Sequence, residues 1–153
     1  MRTNIATIVS LAAVAGLGAR AAAPTDACAL LTQAEVSAAL SVAVQPGERV
    51  IASSPVSCGW APAGGPTIGG KKVVATLMTE RSFTVGKTPV RGILKEPVAG
   101  IGDDAYYITT PPFGTGLSVR KGVFCFQVRV SGFPPDKTKA IERTLAMNVL
   151  ARA

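Results

Sequence analysis

Apolar and polar residues along the chain follow two periods, and the changes from one to the other mark out the elements. From Leu30 to Leu40 the spacing is helical, with Val36, Ala39 and Leu40 on one face. Thr32 and Glu35 make a T-x-x-E capping box there, with Leu31 and Val36 at the staple positions around it. Pro46-Gly47 ends the pattern. Arg49 to Ala52 and Val56 to Ala61 are short, extended and punctuated by proline, which suits two strands or a strand and a loop. After a glycine-rich connection at 63–70, Lys71 to Glu80 alternates Val73, Ala75 and Leu77 against Val74, Thr76 and Met78. Both faces are apolar near its middle, so it reads as a central strand covered on both sides, or on at least one by a helix.

Arg81 to Ala99 has no sustained period, and Pro89 and Pro97 exclude a long helix. It is expected to be mostly loop with one helical turn, and a loop of that length is a place for a ligand site. Asp104 to Thr109 is a strand, entered through Gly100-Ile101-Gly102 and closed by Pro111-Pro112. Leu117 to Arg120 and Val123 to Val130 then form a hairpin around Lys121-Gly122, whose glycine supplies the positive φ of a tight turn. In its second arm Phe124, Phe126, Val128 and Val130 face the core, and Cys125 lies on the other side. Pro134-Pro135-Asp136 ends the sheet and caps a helix from Lys137 to about Arg152, with a buried stripe of Ile141, Leu145, Ala146, Val149 and Leu150. The expected class is α+β: a single antiparallel sheet with a short N-terminal helix and an amphipathic C-terminal helix packed on one face.

The first residues break from both periods. Arg2 precedes an uncharged apolar run from Ile5 to Ala19, which Arg20 interrupts before it reaches the ~20 residues that a membrane span needs. Ala19-Arg20-Ala21 offers the small-x-small pattern of a signal-peptidase site. A signal peptide over 1–21, cut between 21 and 23, leaves one α+β domain over 24–153 with no transmembrane span in the mature form. The residues before Cys28 lack the apolar position of a lipidation box, so no lipid anchor is expected. The expected location is periplasmic or secreted.

Export changes the meaning of the three cysteines, because thiols outside the cytoplasm are not kept reduced. One bridge can form, and 28–58, 28–125 and 58–125 are all open to it. The pairing expected is Cys28 with Cys58, which would tie the mature N-terminus to the first strands and add about 3 to 4 kcal/mol. Cys125, inside an apolar strand, is expected to be an inert thiol.

Composition removes several kinds of chemistry. The 153 residues include no histidine, which excludes Ser-His-Asp and Cys-His nucleophiles, His-containing zinc sites and His-ligated haem. Loss of Arg2 and Arg20 with the leader lowers the formal charge from +7 to +5, too mild and too scattered to indicate nucleic acid. Asp103-Asp104 is the one adjacent pair of carboxylates, and neighbours on an extended chain point to opposite faces. The glycine pairs lack the helix and flanking residues of a phosphate loop. No cofactor and no catalytic or metal-binding residue is expected. A ligand or anion surface has six candidates: Trp60, Tyr106 and Tyr107, with Lys137, Lys139 and Arg143 on the exposed side of the last helix.

Four stretches, DACALLTQAEVSAAL at 26–40, SCGW at 57–60, PVAGIGDDAYY at 97–107 and the strand-plus-helix end from Leu117, carry a likeness to a known group. Together the chain resembles a family of small exported bacterial proteins of unknown function, many of them envelope lipoproteins. The resemblance implies a sheet-and-helix domain similar to PsbP-like folds, with the first two motif cysteines bridged and no catalytic residues to carry over. The functional expectation is a non-enzymatic exported binding or interaction domain whose partner is an envelope protein or an anionic envelope component. The alternatives are an inhibitor that inserts 81–99 into a secreted enzyme, and a hydrolase or accessory enzyme using Asp103 or Asp104 with a Lys or Ser.

Overall fold

Seven strands form one antiparallel sheet: β1 (Glu48–Ile51), β2 (Ser54–Trp60), β3 (Lys72–Met78), β4 (Leu94–Pro97), β5 (Asp104–Thr110), β6 (Gly114–Lys121) and β7 (Phe124–Ser131). Their order across the sheet is β1-β2-β3-β7-β6-β5-β4. Two meanders, one of three strands and one of four, are thus joined where β7 returns to pair with β3 from Lys72–Ser131 to Met78–Cys125. Among the described residues three α-helices accompany the sheet, α1 (Gln33–Leu40), α2 (Glu80–Gly86) and α3 (Pro135–Leu150), with a 3-10 turn at Ala27–Ala29 ahead of α1. The computed structural model describes residues 22–66 and 69–153, so the expected signal peptide lies outside the described residues.

One face of the sheet carries the main core. Val73, Ala75, Leu117, Val119, Phe126 and Val128 point into it, and Leu145, Ala146 and Val149 of α3 close it from above. Val36 and Leu40 of α1 and Leu30 and Leu31 before it join the same cluster. The capping box of α1 forms as its sequence predicts: the Glu35 N–H donates to the Thr32 hydroxyl at 3.2 Å and the Thr32 N–H to the Glu35 carboxylate at 2.7 Å. Arg152 ties the two helical ends together, pairing with Glu35 and donating to the Leu30 carbonyl at 2.5 Å. The Cys28–Cys58 bridge is present, with Cα atoms 5.0 Å apart, and fastens the segment before α1 to β2.

Three local expectations change. The 81–99 segment is not mostly loop, because α2 and the edge strand β4 occupy much of it. Thr79 starts α2 by accepting the Ser82 N–H at 3.0 Å, and Phe83 anchors it. It packs on the sheet face opposite α1 and α3, where Phe83, Tyr106 and Cys125 form a second, smaller core with Met78 and Ile108. The tight turn is Gly122-Val123 rather than Lys121-Gly122, since Lys121 is still paired with Phe124. Gly122, at φ 58°, takes the first loop position, where a side chain would be strained. The cap of α3 is also different: Pro134 occupies it without a side-chain hydrogen bond, and Asp136 lies inside the first turn. β3 is central in the pairing order, yet Val74, Thr76 and Met78 on its outer face are only half-buried.

Candidate functional site

Glu142 has the most unusual surroundings of any ionisable group described. It sits on α3 one turn after Thr138, on the face that packs against the sheet, and its relative exposure is 0%. The β6–β7 ladder explains why a carboxyl fits there. Pairing runs from Lys121–Phe124 to Leu117–Val128 and stops. The residues that would pair next on the same face, Thr115 and Val130, turn instead to Glu142: the Val130 N–H donates to one carboxyl oxygen at 3.0 Å and the Thr115 hydroxyl to the other at 3.1 Å. The side chain thus fills a gap in the sheet and satisfies a backbone donor that the ladder leaves unpaired.

Burial disfavours the charged form and pushes the Glu142 carboxyl up to about 7, against the opposing pull of the two hydrogen bonds and of Arg129 and Lys139. Among the described residues it forms no ion pair.

Where β6 and β7 part, a cavity of about 600 Å³ opens between the sheet end and the first turn of α3. Its walls are mostly apolar. Phe113 and Pro112 come from the β5–β6 turn, Phe133 and Pro135 from the approach to α3, and Val130, Thr115 and Thr138 from the end nearest Glu142. Such a volume falls within the range of small-molecule sites, and Glu142 lies behind its Thr115 and Val130 wall without lining it. Phe113 stands at the edge of the cavity with 72% of its surface exposed.

Two further hollows are less specific. A groove of about 420 Å³ beside β1 is lined by Glu48, Arg49 and Lys72 along with loop residues. Arg49 there is engaged with Asp26, whose carboxyl its hydrogen bond holds below the ordinary range. Another of about 500 Å³ lies on the outer face over Thr76, Met78 and Gln127, and Ser82 is the only residue of 81–99 that lines any of the three.

The six expected surface residues are dispersed. Trp60 is 2% exposed in the main core, with Gly47 against its indole so closely that a Cβ at 47 would fall 2.6 Å from the ring. Tyr106 and Tyr107, adjacent in a strand, lie on opposite faces. Tyr106 donates to the Phe83 carbonyl at 3.1 Å in the second core, and Tyr107 donates to the Lys139 carbonyl at 2.9 Å beneath α3. Burial raises both phenols above their usual range. Lys139 lies over the Tyr107 ring and pairs with Glu96, and the charge of Arg143 also reaches that phenol. Lys137 is elsewhere, 4.9 Å from the centre of the Phe133 ring. The structure therefore gathers Tyr107, Lys139 and Arg143, and separates Trp60, Tyr106 and Lys137 from them.

The two neighbouring aspartates do not converge. Asp103 accepts the Gly122 N–H at 2.6 Å and holds the β6–β7 turn, whereas Asp104 pairs with Lys87 at 2.7 Å. Cys125 is a buried free thiol whose pKa burial raises, which keeps it protonated and unreactive at neutral pH. Among the described residues no group of three or more Cys, Asp or Glu is placed to hold a metal ion, and no helix is long and apolar enough to cross a membrane.

Glu142 and Thr138 were absent from the expected stripe, although a signal for both was present. Positions 138, 141, 142, 145, 146 and 149 share one helical face, and the two polar residues lie inside that apolar set. No family model, no curated protein and no solved structure matches the chain.

Proposed function

We propose that this protein is an exported, non-catalytic binding domain of the bacterial cell envelope, and that it holds a small apolar ligand between α3 and the parted ends of β6 and β7. The observation that carries the reading is the cavity of about 600 Å³, apolar along its walls and ending at Thr115 and Val130 with the Glu142 carboxyl behind them. The leader-like sequence over 1–21 and the Cys28–Cys58 bridge support export. The separate engagements of Asp103 and Asp104 favour binding over an aspartate-dependent reaction, because neither carboxylate is aimed at a shared substrate atom.

A neutral, apolar fluorescent probe, N-phenyl-1-naphthylamine, tests the cavity directly. Saturable binding of one probe per chain is expected. Thr109→Trp, which places a large ring on the cavity wall at a half-buried strand position, should weaken it about tenfold or more while leaving the melting temperature within a few degrees. An absence of saturable binding, or equal binding by the variant, would defeat the reading.

A further inference from the structure

Phe133, on the wall of this cavity, carries two cations. The Lys71 and Lys137 ammonium groups lie 5.2 and 4.9 Å from the centre of its ring, and hence about 10 Å apart at most, within the screening length of 0.1 M salt. Both lysines are exposed, and neither takes part in an ion pair among the described residues. Asp136 is the neighbouring carboxylate, and it too forms no such pair, so the charge beside Phe133 is net positive. The inner end has the opposite character. In its ionised form Glu142 accepts a hydrogen bond from the protein at each oxygen, so it offers an anion no donor and its charge repels one.

From this polarity we infer that the ligand is a free, single-chain amphiphile with an anionic head, its apolar chain lying in the cavity and its head held at the mouth by Lys71 and Lys137. The inference rests on the binding reading above. Apolar walls supply the affinity of the chain, and Phe113 at the edge is placed to cover it. The two ammonium groups supply the choice of head, and an anionic head lessens their like-charge repulsion, which no ion pair among the described residues relieves.

A head-group series at constant chain length separates these parts. Decanoate, decanol and decyltrimethylammonium are titrated by calorimetry at pH 8 and low ionic strength, the two ionic amphiphiles below their micelle concentrations and decanol below its solubility limit. Decanoate should bind about fivefold or more tighter than decanol, as expected for exposed ion pairs, with the cation weakest. The paired substitution Lys71→Gln and Lys137→Gln should remove the decanoate advantage and leave decanol unchanged. Phe113→Ser should weaken all three, and its exposure makes a folding defect an unsuitable explanation. Equal affinity for the three heads, with naphthylamine binding intact, overturns this inference and spares the cavity reading. Failure of the whole series and of the naphthylamine probe overturns both. Binding to phosphatidylglycerol vesicles without binding of monomeric decanoate also overturns it, because the target would then be a membrane surface.

Discussion

Glu142 sets the pH response of the domain. Its carboxyl is raised from 4.5 to about 7 on folding, chiefly by burial. Below pH 4.5 folded and unfolded chains both hold the proton. Between 4.5 and about 7 only the folded chain does, so stability falls as pH rises through that window and levels off above it. The loss is about 3 kcal/mol in all, at about 1.4 kcal/mol per unit. Urea midpoints should therefore decline from pH 5 to pH 7. In Glu142→Gln the amide oxygen can accept the Val130 N–H and the amide NH₂ can donate to Thr115, so the midpoint should become flat over the same range. A wild-type midpoint that rises across it would contradict the assignment. Asp26, held low by Arg49, acts in a separate acidic window: its contribution is present above the ordinary carboxylate range and lost as pH falls below it. At this scale the sequence was readable wherever a residue followed its usual habit, as Thr32 and Glu35 do in their box. It was not readable for Glu142, because a glutamate on a helix is by default a surface residue, and only the broken ladder opposite makes it an interior one.

Among the elements, α2 and its small core behave as a separate layer. Phe83 is 1% exposed and lies between Lys87, Arg120 and Tyr106, over the buried thiol of Cys125. The Tyr106 hydroxyl comes so close to Gly86 that a Cβ there would fall 2.2 Å from it, so the helix can dock only with glycine at its end. Phe83→Ala should cost about 3 kcal/mol and loosen α2. Under native, non-reducing conditions Cys125 should be silent to a thiol reagent in the wild type and react in the variant. A thiol equally silent in the folded variant would show that the sheet alone shields it. The strands β5, β6 and β7 and the helices α1 and α3 were visible from alternation, turn glycines and capping. α2 showed only as one helical turn without bounds, because a helix of seven residues with a single large apolar side chain has too few turns to show a period.

For the whole molecule, the decisive contact is the β3–β7 seam, seven paired positions long, which makes one sheet of two meanders. Trp60, the only tryptophan, reports on the first meander, and far-ultraviolet ellipticity is weighted to α3, which packs on β6 and β7. Their urea transitions should coincide, because neither meander keeps its core when the seam opens. Separated midpoints would show the halves unfolding independently. The α+β class was legible from the order of elements, but the strand order was not, since hairpin signals are local and the seam joins segments some 50 residues apart. The cavity was hidden for the same reason, as it exists only where β6 and β7 part beneath α3.

That seam has a consequence for a chain that emerges N-terminus first. β7 is the last strand made and it takes the centre of the sheet, so growth cannot proceed by adding each new strand to an outer edge. Until it arrives, β3 presents the bare backbone of Lys72–Met78, an edge open to a wrong neighbour. Cys28 and Cys58 both lie ahead of β3, and a bridge closed between them early would hold the waiting meander together while the rest of the chain follows.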